Sequence, residues 1–116
     1  MSTLTLNGNH IDVHFSLGEK IGGLIRDQRI PLDAVTSAEL ITDPIAATRG
    51  WRAPGLGIPG VRKIGHWRGP AGHELVCIRR GEPAVRLHLH NQPFDSVLLG
   101  MPDADAKARE IQARVA

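Results

Sequence analysis

The chain has no tyrosine and only two phenylalanines and two tryptophans, so its core must be built mainly from Leu, Ile, Val and Ala. Platforms that stack successive bases of single-stranded nucleic acid depend on exposed aromatic rings, and four rings leave little to build one. A single cysteine, Cys77, excludes an internal disulfide and any zinc site based on a cysteine pair. No apolar run approaches the roughly 18 residues that a bilayer-spanning helix needs. The first eight residues, MSTLTLNG, carry neither a basic n-region nor a long apolar stretch, so no secretory signal is expected and the cytoplasm is the expected location. G-x-S-x-G, P-loop, C-x-x-C and H-E-x-x-H patterns are all missing, and the acids are scattered without an evident catalytic pair.

What is present suits one folded domain over 1–116: 41% of residues are hydrophobic and 22% charged, a balance typical of globules and not of disordered chains. Asn7-Gly8 predicts a two-residue type I′ turn, because both turn positions need positive φ. That loop sets Leu6 opposite Asn9, Thr5 opposite His10, Leu4 opposite Ile11 and Thr3 opposite Asp12. Leu4, Leu6, Ile11, Val13 and Phe15 then share an apolar face, with Thr3, Thr5, His10, Asp12 and His14 on the other. Ser16-Leu17-Gly18-Glu19 is a capping box that predicts a short internal helix carrying Leu17, Ile21, Leu24 and Ile25. From Gln28 to Thr42 the pattern is strand-like, with Pro31 at an edge or a break. Thr42-Asp43-Pro44 predicts about one helical turn before Gly50.

The segment Arg49–Gly60, RGWRAPGLGIPG, has no periodicity and is rich in glycine and proline, which predicts a loop. Strands are expected over Val61–Arg68, His73–Arg80 and Pro83–His90, with turns short enough to make each an antiparallel neighbour of the next. Phe94–Leu99 is a further strand. From Pro102 onward Ala104, Ala108, Ile111 and Val115 form one helical stripe, supported by the i,i+4 pairs Asp103 with Lys107, Asp105 with Arg109 and Glu110 with Arg114. These elements predict a mainly β chain that curls into a barrel or sandwich, with the last helix packed on an open side.

Four phrases carry a resemblance. Ile30-Pro31-Leu32-Asp33-Ala34-Val35 followed by a strand resembles the second-strand signature of bacterial pleckstrin-homology-like (PH-like) domains. RAPGLGIPG at 52–60, RRGEPAVRLHL at 79–89 and FDSVLLGMPD at 94–103 are similar to a small actinobacterial branch of that family. The resemblance implies a curved antiparallel barrel of about seven strands plugged by a C-terminal helix. It implies a binding and assembly scaffold without catalytic residues or cofactor, and the fold alone does not name a ligand. Eukaryotic phosphoinositide-binding relatives gather cations in the loop joining their first two strands. Here that connection is Asn7-Gly8 and holds none, which speaks against headgroup recognition there.

Three constellations remain. Gly55-Leu56-Gly57-Ile58-Pro59-Gly60 matches G-x-G-x-x-G, but a dinucleotide fingerprint needs a helix after it, and Val61-Arg62-Lys63-Ile64 is strand-like. His10, Asp12 and His14 share one strand face and Arg86, His88 and His90 another, so a metal site would draw on His10, Asp12, His14, His88 and His90 if those strands met. Both faces lie opposite the aliphatic core and are expected to face water. Cys77, between Val76 and Ile78, is expected to be a buried, inert thiol.

Charge is the most informative feature. Between Arg49 and Arg80 stand seven cations against Glu74 alone, while the rest of the chain holds seven cations and eleven acids. Such polarity attracts phosphates or an acidic partner and weakens with salt. The expected contact residues are Arg49, Trp51, Arg52, Arg62, Lys63 and Arg68, serving a non-enzymatic binding module. The expected partner is a protein or an anionic ligand, including a second copy of the chain in a homo-oligomer. Nucleic acid is the alternative that uses the same cations, and a metal-binding protein using the strand histidines is the more distant one.

Overall fold

Alternating apolar side chains put most of the chain into strands, and the computed structural model describes residues 3–16, 26–44, 51–58, 62–69 and 72–115, with 51–58 and Arg62 described through their backbone. In order come β1 (Thr3–Asn7), β2 (His10–His14), β3 (Gln28–Pro31), a 3-10 turn (Leu32–Ala34), β4 (Val35–Ile41), β5 (Trp51–Ile58), β6 (Arg62–Gly69), β7 (Gly72–Arg79), β8 (Ala84–Leu89), β9 (Ser96–Gly100) and helix α1 (Ala104–Val115). The helix expected at 16–25 and the helical turn expected before Gly50 fall largely on 17–25 and 45–50, outside the described residues. Among the described residues no helix is long and apolar enough to cross a membrane.

The first hairpin forms with its register displaced. Leu6 pairs with Ile11 and Leu4 with Val13, so the loop is Gly8-Asn9 and not Asn7-Gly8. Only Gly8 takes positive φ there (58°), as a type II′ turn requires of its first position, whereas type I′ needs both. Because the displacement is two positions along β2, every side chain keeps its face. Leu4, Ile11, Val13 and Phe15 are buried as the alternation demands. Pro31 ends β3, an edge strand of the sheet β1-β2-β3.

The remaining strands make a six-stranded sheet in the order β4-β8-β9-β7-β6-β5. Two expectations fail here. The barrel is not closed: the nine described strands form two separate sheets. Nor are β7 and β8 neighbours. They run antiparallel, but β9 lies between them, antiparallel to β8 and parallel to β7. The connection Arg80–Pro83 therefore spans two strand spacings, about 10 Å, which four residues reach easily. Short loops fix direction more tightly than adjacency.

One core joins both sheets and the helix. Leu4, Ile11, Val13 and Ile30 of the small sheet meet Leu75, Cys77, Val85, Leu87, Val97 and Leu99 of the large one, and Ala104, Ala108 and Ile111 of α1 close it. Cys77 is buried as expected. Asp105 and Arg109 form the expected ion pair on α1. Arg114 instead donates to the Gly8 carbonyl at 3.0 Å, bracing the hairpin turn against the helix end.

The middle of the opposite face of the large sheet is buried too, which overturns the expectation that Arg86 faces water. Trp67, Val76, Ile78, Ala84 and Leu98 cluster there. Among them Arg86 is only 6% exposed and Glu74 4%. Arg86 Nε donates to Glu74 Oε2 at 2.8 Å and Nη2 to Oε1 at 3.1 Å. Ser96 Oγ donates to Glu74 Oε2 at 2.8 Å. Three strands are thus joined by one carboxylate: Glu74 on β7, Ser96 beside it on β9, and Arg86 beyond on β8. Ser96→Ala removes one donor from a dry carboxylate and is expected to cost about 1–3 kcal/mol, read as a lower urea midpoint at constant m. An unchanged midpoint would show that the hydroxyl adds nothing to the network.

Candidate binding surface

The basic segment folds into a ribbon. Trp51–Ile58, expected as a loop, is strand β5 at the edge of the large sheet, paired antiparallel with β6. Glycine and proline did not prevent this because an edge strand bonds on one side only. The register shifts between Ala53 and Gly55, which lets Pro54 sit in the irregularity without interrupting the ladder. The G-x-G-x-x-G match is thereby disposed of, since Gly55 to Ile58 lies in a strand and Arg62 opens the next.

At one end of the ribbon Trp51 stands opposite Arg68 and Arg52 opposite Trp67. At the other, Ile58 stands opposite Arg62, Gly57 opposite Lys63, and Arg62 in turn opposite Arg79 on β7. The two ends are about 25 Å apart, the length of an eight-residue strand. Arg68, Arg79 and Arg80 are exposed and Lys63 half-buried, while Trp67 belongs to the core. Arg49 lies outside the described residues. Arg79 belongs to the basic segment of the sequence but not to the contact residues expected from it. Counting across the β6–β7 turn from Gly69 opposite Gly72 would have set it opposite Arg62.

A second group, missed from sequence, lies at the Arg68 end. His66 Nδ1 and His73 Nε2 share a hydrogen bond of 2.9 Å. Both rings pack on Phe94, with centroids 5.7 and 5.0 Å from it. Asp95 clips this corner, its amide donating to the His73 carbonyl and its carboxylate accepting from the His73 amide, each at 2.8 Å. Burial pushes the His73 imidazole below the usual histidine range, and the charges of Arg68 and His66 add to that. Diagonal pairing on the β6–β7 hairpin was the signal, since Arg68 opposite His73 and His66 opposite Leu75 set the two rings side by side.

The histidines singled out from sequence do not converge. His10, Asp12 and His14 are on β2 and His88 on β8, in different sheets, with His90 just past the end of β8. His14 pairs with Asp27 at 3.1 Å, His88 with Glu39 at 3.2 Å, and His90 Nε2 meets the Asp33 carbonyl at 2.8 Å. Bonds from Asn7 and Arg29 hold the Asp12 carboxyl below its usual range. Among the described residues no group of three or more His, Cys, Asp or Glu is placed to hold a metal ion. A cleft of about 630 Å³ opens between the first hairpin and the end of α1, lined by His10, Leu32, Asp33, Arg114 and their neighbours.

In comparison with known proteins, the chain matches no protein-family model, no curated protein and no solved structure.

Gly72 links the ribbon to the Asp95 clip. Its φ is +107°, which side-chain-bearing residues rarely adopt, and a Cβ there would lie 2.7 Å from Asp95 Cγ. Gly72→Ala is expected to lower stability by about 1–3 kcal/mol through backbone strain and displacement of Asp95, seen as a lower denaturation midpoint. A midpoint equal to wild type would mean that the clip is not needed.

Proposed function

We propose that this chain is a non-catalytic binding and assembly module of the bacterial PH-like type, which takes a protein partner with an acidic face along the β5–β6 ribbon. The observation that carries this reading is the cation placement at the ribbon's far end. Arg62 and Arg79 stand directly opposite each other, with Lys63 and Arg80 adjoining in sequence. Such a run of positive charge favours an acidic partner. Arg68, exposed at the other end of the ribbon, gives the same partner a second foothold. The edge position of β5 supports the assembly part of the reading. Within the described sheet it bonds only β6, and a second copy or another chain can add a strand to such an edge. A cytoplasmic location fits a chain whose single cysteine, buried in the core, can form no internal disulfide.

The test uses a polyglutamate peptide and a DNA duplex of matched charge as probes, at about 20 mM and about 300 mM salt. The wild-type chain is expected to bind the peptide at low salt and to lose at least about tenfold in affinity at high salt. Arg79→Ala is expected to weaken binding about three- to tenfold while leaving stability unchanged or raising it by up to about 1 kcal/mol. Arg68→Ala is expected to weaken binding similarly. Tighter binding of the duplex would make nucleic acid the partner, and failure to bind either probe would end the reading.

A further inference from the structure

The His66–His73 contact is a cross-strand pair between β6 and β7. His66 Nδ1 and His73 Nε2 face each other at 2.9 Å, with ring centroids 5.1 Å apart. The register puts them there: His66 stands opposite Leu75, two residues from His73, so the imidazoles are diagonal neighbours on one face. Both histidines are half-buried, which leaves the pair open to solvent. Phe94 packs on both rings, at 5.7 and 5.0 Å, and limits how far they turn.

Two facing imidazole nitrogens share a hydrogen bond, and the same two nitrogens can chelate a metal ion. The spacing suits the second use. Donors about 2.0–2.1 Å from an ion lie about 2.9 Å apart when they meet it at a right angle, and about 3.3 Å apart at the tetrahedral angle. The observed 2.9 Å matches neighbouring positions on a tetragonal ion. Both lone-pair axes run along the line between the nitrogens, so each ring tips toward the ion as it enters. The His73 tautomer suits it too. Its ring bonds the Pro93 carbonyl; with Nε2 turned to His66, that bond falls to Nδ1–H and leaves the Nε2 lone pair facing inward. Ligating histidines donate their outer N–H to a carbonyl in this way. Burial, Arg68 and His66 hold the His73 imidazole below the usual histidine range, so this ring is in its neutral, ligating form at neutral pH. The hydrogen of the pair then sits on His66 Nδ1. On binding it passes to the outer nitrogen of the same neutral ring, and the ion exchanges two of its waters for the two imidazoles.

We propose that His66 and His73 form a two-imidazole chelate for a divalent ion of tetragonal preference, copper(II) before nickel(II), with His66 Nδ1 and His73 Nε2 in neighbouring positions. Affinity for nitrogen donors peaks at copper(II) along the first row. Among the described residues no third His, Cys, Asp or Glu is placed to join the pair, so water fills the remaining positions. Two charges act on the His73 ring with opposite sign: Asp95 favours a cation there and Arg68 opposes it. The bound ion staples β6 to β7 at the Arg68 end of the ribbon. None of this rests on the reading of the ribbon as a contact surface.

Copper(II) chloride and zinc chloride, titrated separately into the full chain at about pH 7.5, are the probes. Copper is paramagnetic and broadens the NMR signals of nearby residues. The amide signals of His66 and His73 are expected to lose intensity first, before those of His10 and His14 in the small sheet. His66→Gln and His73→Gln are each expected to weaken copper binding at least about tenfold, because deletion of a ligand costs no less than deletion of a supporting bond. His14→Gln is expected to leave it unchanged. Arg68→Gln removes an opposing charge and is expected to tighten it about two- to fivefold. Urea unfolding checks that each variant is folded, and the wild-type broadening carries the test if neither histidine variant is. Copper affinity unchanged in a folded His66 or His73 variant, broadening that begins at other histidines, or zinc held more tightly than copper would overturn the site.

Discussion

A carboxylate buried at the middle of the large sheet decides where β9 goes. The strands β7 and β9 are apolar on both faces around their centres, so burial alone does not distinguish their native pairing from one slipped by two residues. Glu74 does distinguish them. In the native register Ser96 stands opposite Glu74 and Arg86 reaches the same carboxylate from β8. A two-residue slip takes the hydroxyl away from a carboxylate that water does not reach, at a cost of about 1–3 kcal/mol, and losing the guanidinium would cost more. Hydrophobic burial drives the sheet together, and the polar network selects one arrangement of it.

The surfaces inherit their positions from that arrangement. With β9 inserted between β7 and β8, the β7 edge that remains is taken by β6, and β5 follows as the outer strand. The basic segment therefore becomes a ribbon at the margin, cations at both ends, and not the loop its glycine and proline content predicts. The same insertion brings the loop after β8 back to the β6–β7 turn, where Asp95 meets His73. The exposed Arg68 and the histidine pair lie at the same end of the ribbon.

Much of the local structure was legible in the sequence. The hairpin faces, the strands β6 to β9, the buried thiol and the stripe on α1 all follow from periodicity of 2 or 3.6 residues. The first miss arises because alternation reports one face at a time. Leu75–Ile78 and Val97–Leu99 are unbroken apolar runs that signal strands buried on both sides, and that signal placed Arg86 in a dry layer. Expecting a wet face there concealed the Glu74 network. Strand β5 was illegible because backbone pairing at an edge tolerates the glycine and proline that mark loops elsewhere. The order β8-β9-β7 was illegible because nothing local encodes which strands meet. For the proposed contact residues, the sequence supplied the charge and the structure supplied the spacing, dividing one basic segment between two ends of a ribbon.

A double-mutant cycle at Glu74 and Arg86 tests the central claim most directly, with Glu74→Gln, Arg86→Met and the double variant compared by urea unfolding. Each single change should cost about 3–5 kcal/mol, and the pair together much less than their sum, because the second change removes the charge that the first left unpaired. Costs that add to within about 0.5 kcal/mol would show that the two residues act independently and that something else holds β9 in place.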